Sequence, residues 1–242
     1  MIKAMIHTLI TILWISDNKR VNYLAPLIDH STRHGRLVIA SLNYDNSIEL
    51  AAESRGIDCN TGIENWSKNG FIDTSSNCLH LLKLHGSIDW EWKPEEDDAG
   101  SHLFPQKIIK KVNYRDSRYI SNIYPYGNFI YEPAVLFGHK NKLTADGPFL
   151  DLLYRFKSEL MKDDIDLLTI IGYSFGDDHI NAIVSRWLNQ DPKHQIRIID
   201  PGFRKNERDY VRRIKEIRKI RPNQVKIISN TAKKAILDLY GN

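Results

Sequence analysis

The chain has 242 residues, of which 42% are hydrophobic and 26% charged, and its formal net charge is +4. This composition excludes wholesale disorder and predicts a folded protein with one core of useful size. A charge this small does not by itself indicate nucleic acid as a partner. The chain has two cysteines, Cys59 and Cys78, and no CxxC pair, so we predict neither a structural zinc site nor a disulfide framework.

The N-terminal stretch 1–15 is apolar, but it is shorter than the roughly 20 residues that a membrane-spanning helix needs. Lys3 and His7 interrupt it, and no small-residue cleavage site follows Ile15. Its apolar residues recur at helical spacing. We therefore predict a buried helix, no membrane association and a cytoplasmic location.

Short apolar runs alternate with helical patterns along the rest of the chain. The runs that predict strands are 37–42, 79–84, 165–171, 195–199 and 225–228. Helices are predicted after the first run, with Asn46 as the N-cap and Glu49 completing a capping box, and from about Thr231. Strands that alternate with helices form parallel units. We therefore predict an α/β fold with a doubly wound, mostly parallel sheet.

The domain organisation follows from the same patterns. We predict a single domain over 1–242, with a basic helix, a strand and a terminal helix in 203–242. The stretch 91–147 does not fit the alternation, because it is rich in Tyr, Asn, Pro, Gly and charged residues. We interpret this stretch as a long insertion over the edge of the sheet.

Polar residues follow four of the predicted strands. In an open α/β sheet, ligands bind outside the carboxyl ends of the strands. Each cluster taken alone is ordinary turn chemistry, but the four together favour a binding site at one edge. The clusters are Asn43-Tyr44-Asp45, His85-Gly86-Ser87, Gly172-Tyr173-Ser174 and Asp200.

The segments that hold these clusters are SLNYD (41–45), LLKLHGSIDW (81–90), IIGYSFGDDHIN (170–181) and IIDP (198–201). In this order they resemble the successive motifs of the sirtuin-like NAD-hydrolase domains of bacterial antiphage defence proteins. The segment GPFLDLLYRFKSEL (147–160) resembles the helix that precedes the third motif. The resemblance covers about residues 36–205. It implies a Rossmann-like fold and NAD as the substrate, with no metal.

The resemblance implies that Asn43 and His85 are the catalytic residues. Asn43 would hold the nicotinamide ribose or the attacking water, and His85 would lie beside the ribose hydroxyls. This pairing is chemically reasonable, because cleavage of the nicotinamide–ribose bond passes through an oxocarbenium-like centre. Such a centre needs a positioned nucleophile and a group that accepts a proton, which a neutral imidazole provides near pH 7.

The resemblance also implies a cofactor-binding set, which consists of Asp45, Gly86, Gly172, Ser174 and Asp200. Asp45 would bind the nicotinamide carboxamide, Gly172 and Ser174 would approach the phosphates and a ribose, and Asp200 would lie near the adenosine ribose. Asp178 and His179 belong to the third motif, but we interpret them as capping and first-turn residues of a helix.

The sequence departs from the family in two ways. It lacks the four-cysteine zinc module of sirtuin deacylases, as does the zinc-less bacterial branch, whose members more often destroy NAD. It also lacks the opening strand and the glycine-rich phosphate loop, because its first glycine is Gly35. We therefore expect an N-terminally truncated domain that, when isolated, hydrolyses NAD poorly or not at all.

Three functions compete. The first is an NAD glycohydrolase effector of an abortive-infection defence system. The second is a non-catalytic subunit that binds NAD or ADP-ribose or acts as a scaffold, and protein deacylation is a weak third. We expect a homo-oligomer or a partner defence protein, for example an ATPase, a helicase or a phage sensor.

The C-terminal stretch 203–226 is strongly basic, with ten Lys or Arg residues against three acidic ones. Apolar residues repeat at helical spacing within it, which favours an amphipathic surface helix with a solvated basic face. A contact with nucleic acid or with an acidic partner subunit is the less favoured interpretation.

Overall fold

The computed structural model describes residues 2–33, 37–63, 66, 78–94, 107–112, 133–136, 147–205 and 207–241. The chain divides into two compact units, Met1–Leu153 and Tyr154–Asn242. Both units contain parallel strands followed by helices, which confirms an α/β fold with parallel sheets. The doubly wound arrangement, the single domain and the missing glycine-rich loop stay predictions.

The described part of the first unit begins with helices and a parallel sheet. Its helices are α1 (Ile2–Leu13), α2 (Ala25–Arg33) and α3 (Ser47–Ser54), with short 3-10 turns at Asn18–Arg20 and Asn22–Leu24. Its parallel strands are β1 (Val38–Ser41), β2 (Cys59–Asn60) and β3 (Leu79–Lys83), in the order β1-β3-β2. Strand β3 is central and every residue in it is buried, as expected for a strand covered on both faces.

The N-terminal helix is present as predicted. From Thr8 onward, where its side chains are described, Ile10 is buried against Ile88 and Val112, whereas Ile12 is 66% exposed. Along the described residues, no helix combines the length and apolar character that crossing a membrane requires.

An antiparallel sheet follows β3 directly. Its strands are β4 (Gly86–Pro94), β5 (Lys107–Lys111) and β6 (Pro133–Val135), and β4 lies in the middle. The predicted strand 79–84 does end before His85-Gly86, but β4, which begins at Gly86, was not predicted. The predicted insertion 91–147 contains strands where it is described. The pattern hid β4 because its polar residues Ser87, Asp89 and Glu91 are buried like their apolar neighbours.

The second unit is a three-stranded parallel sheet with helices between the strands. In chain order it contains β7 (Leu167–Ile171), α5 (Asp178–Gln190), β8 (Gln195–Ile199), a 3-10 turn (Phe203–Lys205), α6 (Asp209–Ile220), β9 (Val225–Ile228) and α7 (Ala232–Tyr240). The helix α4 (Pro148–Leu160) precedes them, as predicted. All five predicted strands are thus present, with ends that differ by no more than two residues.

The basic stretch 203–226 contains α6, and Val211 and Ile214 form the buried face of this helix. Ile220, at its end, is 79% exposed, so the apolar stripe is buried only in part. The amphipathic helix is confirmed. A contact of this helix with nucleic acid or with an acidic partner subunit stays untested.

Candidate functional site

The carboxyl ends of β1 and β3 lie side by side, because the two strands are parallel and Ser41 pairs with Lys83. The chain therefore leaves both strands at the same edge of the sheet. The loop after β1 carries Asn43, and the turn after β3 carries His85. Asn43 is exposed, and its backbone N–H donates to Ser41 Oγ at 3.2 Å. Sheet register thus brings the two predicted catalytic residues to one edge.

Tyr44 ties this edge to the antiparallel sheet. Its hydroxyl donates to the Leu136 carbonyl, and its own carbonyl accepts from Ile88 N at 3.0 Å and from Ser87 Oγ at 3.3 Å. Leu136 N in turn donates to the His85 carbonyl at 2.9 Å. The Tyr44 and His85 rings lie 6.4 Å apart. Burial raises the pKa of Tyr44, so its hydroxyl stays protonated as a donor.

Asp45 has a structural role. Its Oδ1 accepts the Ser47 N–H at 2.9 Å, in the first turn of α3, and its carbonyl accepts from the Lys83 ammonium. The predicted capping box is wrong: Asn46 occupies the N-cap position, but its side chain bonds Ile15 N at 2.8 Å and Ile15 O at 2.9 Å instead. The Asp45 carboxylate serves the helix start in its place, and its role toward a nicotinamide group stays a prediction.

Gly86 is required by a close approach of two strands. Its φ is +82°, and a Cβ there would lie 2.0 Å from the Ala134 carbonyl oxygen. Only glycine allows this combination. Strand packing therefore explains why a glycine occupies position 86. A contact of Gly86 with a cofactor stays a prediction.

The second unit repeats the arrangement at the carboxyl ends of β7 and β8. Ile171 pairs with Ile199, so Gly172 and Asp200 leave the sheet together, and Gly172 N donates to the Ile199 carbonyl at 3.0 Å. Gly172 has a φ of +64°, and apart from its two chain neighbours no described residue places an atom within 4 Å of the position that a Cβ would take. Asp200 Oδ1 accepts the Gly202 N–H at 2.7 Å.

The turn after β7 is held by a half-buried tyrosine. The Tyr173 hydroxyl accepts the Asp177 N–H at 3.1 Å and lies 3.0 Å from Asn181 Oδ1. Burial raises the pKa of Tyr173 strongly, so this hydroxyl is a neutral hydrogen-bonding group. Phe175, buried between the rings of Tyr173 and Tyr210, adopts a left-handed φ of +57°. Such a conformation persists in a non-glycine residue only where its surroundings impose it.

Helix α5 begins at this turn, and Asp177 caps it. The Asp177 carboxylate accepts from His179 N at 3.1 Å and Ile180 N at 3.4 Å, while Asp178 supplies the first-turn charge. Asp178 and His179 therefore lie in the first turn of a helix, as interpreted from the sequence, but the capping residue is Asp177.

Arg208 is a residue that sequence reasoning missed. Its Nη1 donates to the Ser174 carbonyl at 3.2 Å and to Ser174 Oγ at 3.3 Å. A Cβ on Gly176 would lie 2.3 Å from that nitrogen, so Gly176 makes room for the guanidinium. The only sequence signal was the basic stretch 203–226, which gave no reason to single out one arginine.

The described residues contain no group of three or more His, Cys, Asp or Glu side chains that is placed to hold a metal ion. Neither Cys59 nor Cys78, both among the described residues, is in a disulfide. Burial, with a smaller contribution from the negative charge of Glu49, raises the pKa of Cys59 to about 12, which keeps this thiol protonated and unreactive.

Each unit thus places polar loops at the carboxyl edge of a parallel sheet, the arrangement of a Rossmann-like nucleotide-binding fold. The model of the SIR2-like domain matches residues 37–222, and the chain belongs to this family. Domains of the family bind NAD. The match confirms the sirtuin-like resemblance, while the antiphage role and the truncation stay predictions. A comparison with curated proteins found no match.

Proposed function

We propose that the chain is an NAD glycohydrolase, which cleaves NAD with water to nicotinamide and ADP-ribose and acts as the effector of an antiphage defence system. The observation that carries the proposal is the pairing of Ser41 with Lys83 in a SIR2-like domain. This pairing brings the loops of Asn43 and His85 to one edge. Two groups on one edge meet the minimum that hydrolysis of a glycosidic bond requires.

Each residue has a definite task in the proposed reaction. The amide of Asn43 orients a water toward the ribose carbon while nicotinamide departs with the bonding electron pair. The imidazole of His85 accepts the proton that the water releases, and passes it to solvent. Tyr44 keeps the two loops in place, because it is bonded to the strand and the chain segment that flank His85.

The second unit supports binding of the phosphates. The guanidinium of Arg208 lies on Ser174, the residue that the resemblance places near the pyrophosphate. Arginine suits this task, because its planar fork of N–H donors matches phosphate oxygens. The neighbouring Gly172 leaves open space beside the backbone.

One observation favours the second candidate, a subunit that binds NAD or ADP-ribose without cleaving it. In Rossmann-like folds a helix N-terminus often receives the phosphates. At α5 the N–H groups of His179 and Ile180 already donate to Asp177, so this helix start is satisfied by the protein itself. Phosphate binding at this turn then depends on Arg208, which predicts weaker dinucleotide affinity.

The two candidates separate in one assay. Purified chain, alone and with the products of neighbouring genes, is incubated with NAD, and nicotinamide release is followed alongside calorimetric binding of NAD and ADP-ribose. We expect slow or no release by the isolated chain and clear release by the assembly. Release near about 1 s⁻¹ by the chain alone would contradict the expected limitation of the isolated chain. Binding without release in every assembly would establish the second candidate.

Variants identify the site. His85→Ala and Asn43→Ala should each lower turnover by about 10²- to 10⁴-fold, the usual cost of losing a positioned catalytic group. The matched control is His179→Ala, which removes an exposed histidine from the first turn of α5. Circular dichroism verifies that all three variants are folded. Turnover by His85→Ala at the rate of the control would contradict the proposed mechanism.

A further inference from the structure

A lysine lies inside the first unit, at the end of the central strand β3. The side chain of Lys83 is 1% exposed. Removing an ammonium group from water is expensive unless the protein supplies partners of opposite charge and hydrogen-bond acceptors. A buried lysine in the middle strand of a parallel sheet therefore requires an explanation from its contacts.

The Lys83 ammonium has partners on two other elements. It donates to the carbonyl of Asp45, in the loop after β1, and it lies 3.3 Å from Glu49 Oε1, on α3. One charged group thus joins a strand, a loop and a helix. The loop it holds carries Asn43 and Tyr44, which lie at the same edge of the sheet as His85.

The surroundings of Glu49 compensate the buried charges only in part. Among the residues that the structure describes, neither carboxylate oxygen of Glu49 accepts a hydrogen bond, and the same holds for the buried Asp89 Oδ1. Burial raises the pKa of Glu49, and the charge of Asp89 raises it further, while Lys83 opposes both effects. A buried pair of this kind is often no more stable than apolar residues of similar volume. Stability alone therefore does not account for it.

We propose that Lys83 is a positioning residue, whose ammonium fixes the Asp45 carbonyl and thereby sets the orientation of the loop that presents Asn43 beside His85. The effect on catalysis rests on the proposed function, but the effect on the loop does not. Lys83 acts from β3, the same strand that delivers His85, so it sets the two loops relative to each other. Misplacement of a reacting group by about 1 Å is enough to lower a rate by about 10²-fold.

The test separates positioning from folding with a double variant. Lys83→Met alone leaves the Glu49 carboxyl group buried without its cation, and this variant can fail to fold. Lys83→Met/Glu49→Gln removes both charges and keeps both volumes, so neither charge is left buried without its partner. Glu49→Gln alone is the matched control, because it keeps the ammonium on the Asp45 carbonyl and replaces the carboxylate with an amide oxygen that can still accept from it. Circular dichroism first verifies that the control and the double variant are folded.

Amide hydrogen exchange reports on the loop directly. The N–H groups of Ser47 and Ile88 are bonded to Asp45 Oδ1 and to the Tyr44 carbonyl, whereas Leu50 N lies within α3. In the folded double variant we expect exchange at Ser47 and Ile88 to be at least about 10-fold faster and exchange at Leu50 to be unchanged, because only the local bonds have weakened. Glu49→Gln should keep all three amides protected.

Nicotinamide release is measured on the same proteins, in the assembly in which the wild-type chain is active. We expect the double variant to lose about 10²-fold in turnover and much less in NAD affinity. Wild-type exchange at Ser47 and Ile88 in the folded double variant would overturn the proposal. If the wild-type protein releases no nicotinamide in any assembly, the proposed function fails, and the exchange data still decide the role of Lys83.

Discussion

The two parallel sheets arrive at similar edges by different means. In the first unit, the loops after β1 and β3 are fixed by buried polar groups, among them the Lys83 ammonium and the hydroxyl of Ser87. In the second unit, the turn after β7 is fixed by a half-buried tyrosine, Tyr173, and by an exposed arginine, Arg208. Both edges are formed by the carboxyl ends of parallel strands. Buried side chains hold the loops of the first edge, whereas an exposed side chain helps to hold the turn of the second.

Two glycines test this comparison. Both have positive φ, but a Cβ at Gly86 would lie 2.0 Å from the Ala134 carbonyl oxygen, whereas a Cβ at Gly172 would meet nothing within 4 Å in the described part of the chain. We expect Gly86→Ala to lower the free energy of unfolding by about 3 kcal/mol or more, since strand pairing must shift. Gly172→Ala should cost only about 1 kcal/mol, from the backbone conformation alone. Urea denaturation of the two variants measures both values, and equal losses would remove the distinction between the edges.

The buried charges of the first unit predict a dependence of stability on pH. The pKa of Glu49 is raised in the folded protein by burial, so folding favours its protonated form. Its contribution to stability is complete below the unfolded pKa of about 4.3 and is lost as the pH rises through the raised pKa of the folded protein. Each unit of the shift corresponds to about 1.4 kcal/mol.

Glu49→Gln should therefore flatten the decline in unfolding free energy that begins above about pH 4, since glutamine does not titrate. The control is Glu53→Gln, an exposed position on the same helix, which should leave the decline as it is. Urea denaturation at a series of pH values measures both. An identical decline in Glu49→Gln would show that this carboxyl group does not govern the pH dependence.

For the edge of the second unit, where Arg208 bonds Ser174, we expect a smaller effect that is limited to ligands with phosphate groups. Arg208→Gln should weaken binding of ADP and ADP-ribose by about 10-fold, because a charge-assisted hydrogen bond to phosphate is lost. Binding of adenosine, which has no phosphate, should not change. Arg212→Gln, which removes an exposed cation from the same helix region, should affect none of the three ligands. Calorimetry measures the affinities, and equal weakening for adenosine and ADP would exclude a phosphate contact.

Local patterns predicted the strands and helices well. The runs that became β1, β3, β7, β8 and β9 are short, apolar and bounded by turn residues, and such features lie within a few positions of one another. Strand β4 escaped because it follows β3 after a turn at 84–85, and because its polar side chains are buried as well. Alternation between buried and exposed positions, the usual sign of an antiparallel strand, was therefore missing.

The contacts that shape the site are distant in sequence, and no local pattern records them. Asn46 was placed correctly at the start of α3, but Ile15, 31 positions earlier, takes its side chain. Ser174 and Arg208 are 34 positions apart, and Lys83 and Asp45 are 38 apart. Motifs identified the candidate site residues. The residues that hold them in place, such as Arg208 and Lys83, can be recognised only from the folded structure.

The contacts of Leu136 bear on when the proposed site is completed during folding. Its carbonyl accepts from Tyr44, 92 positions earlier in the chain, and its N–H donates to the carbonyl of His85. Closing a loop of this length costs somewhat more chain entropy than pairing β1 with β3, so we expect the parallel sheet to form before the edge is complete. On the ribosome the same order is expected, because Leu136 is synthesised after both strands.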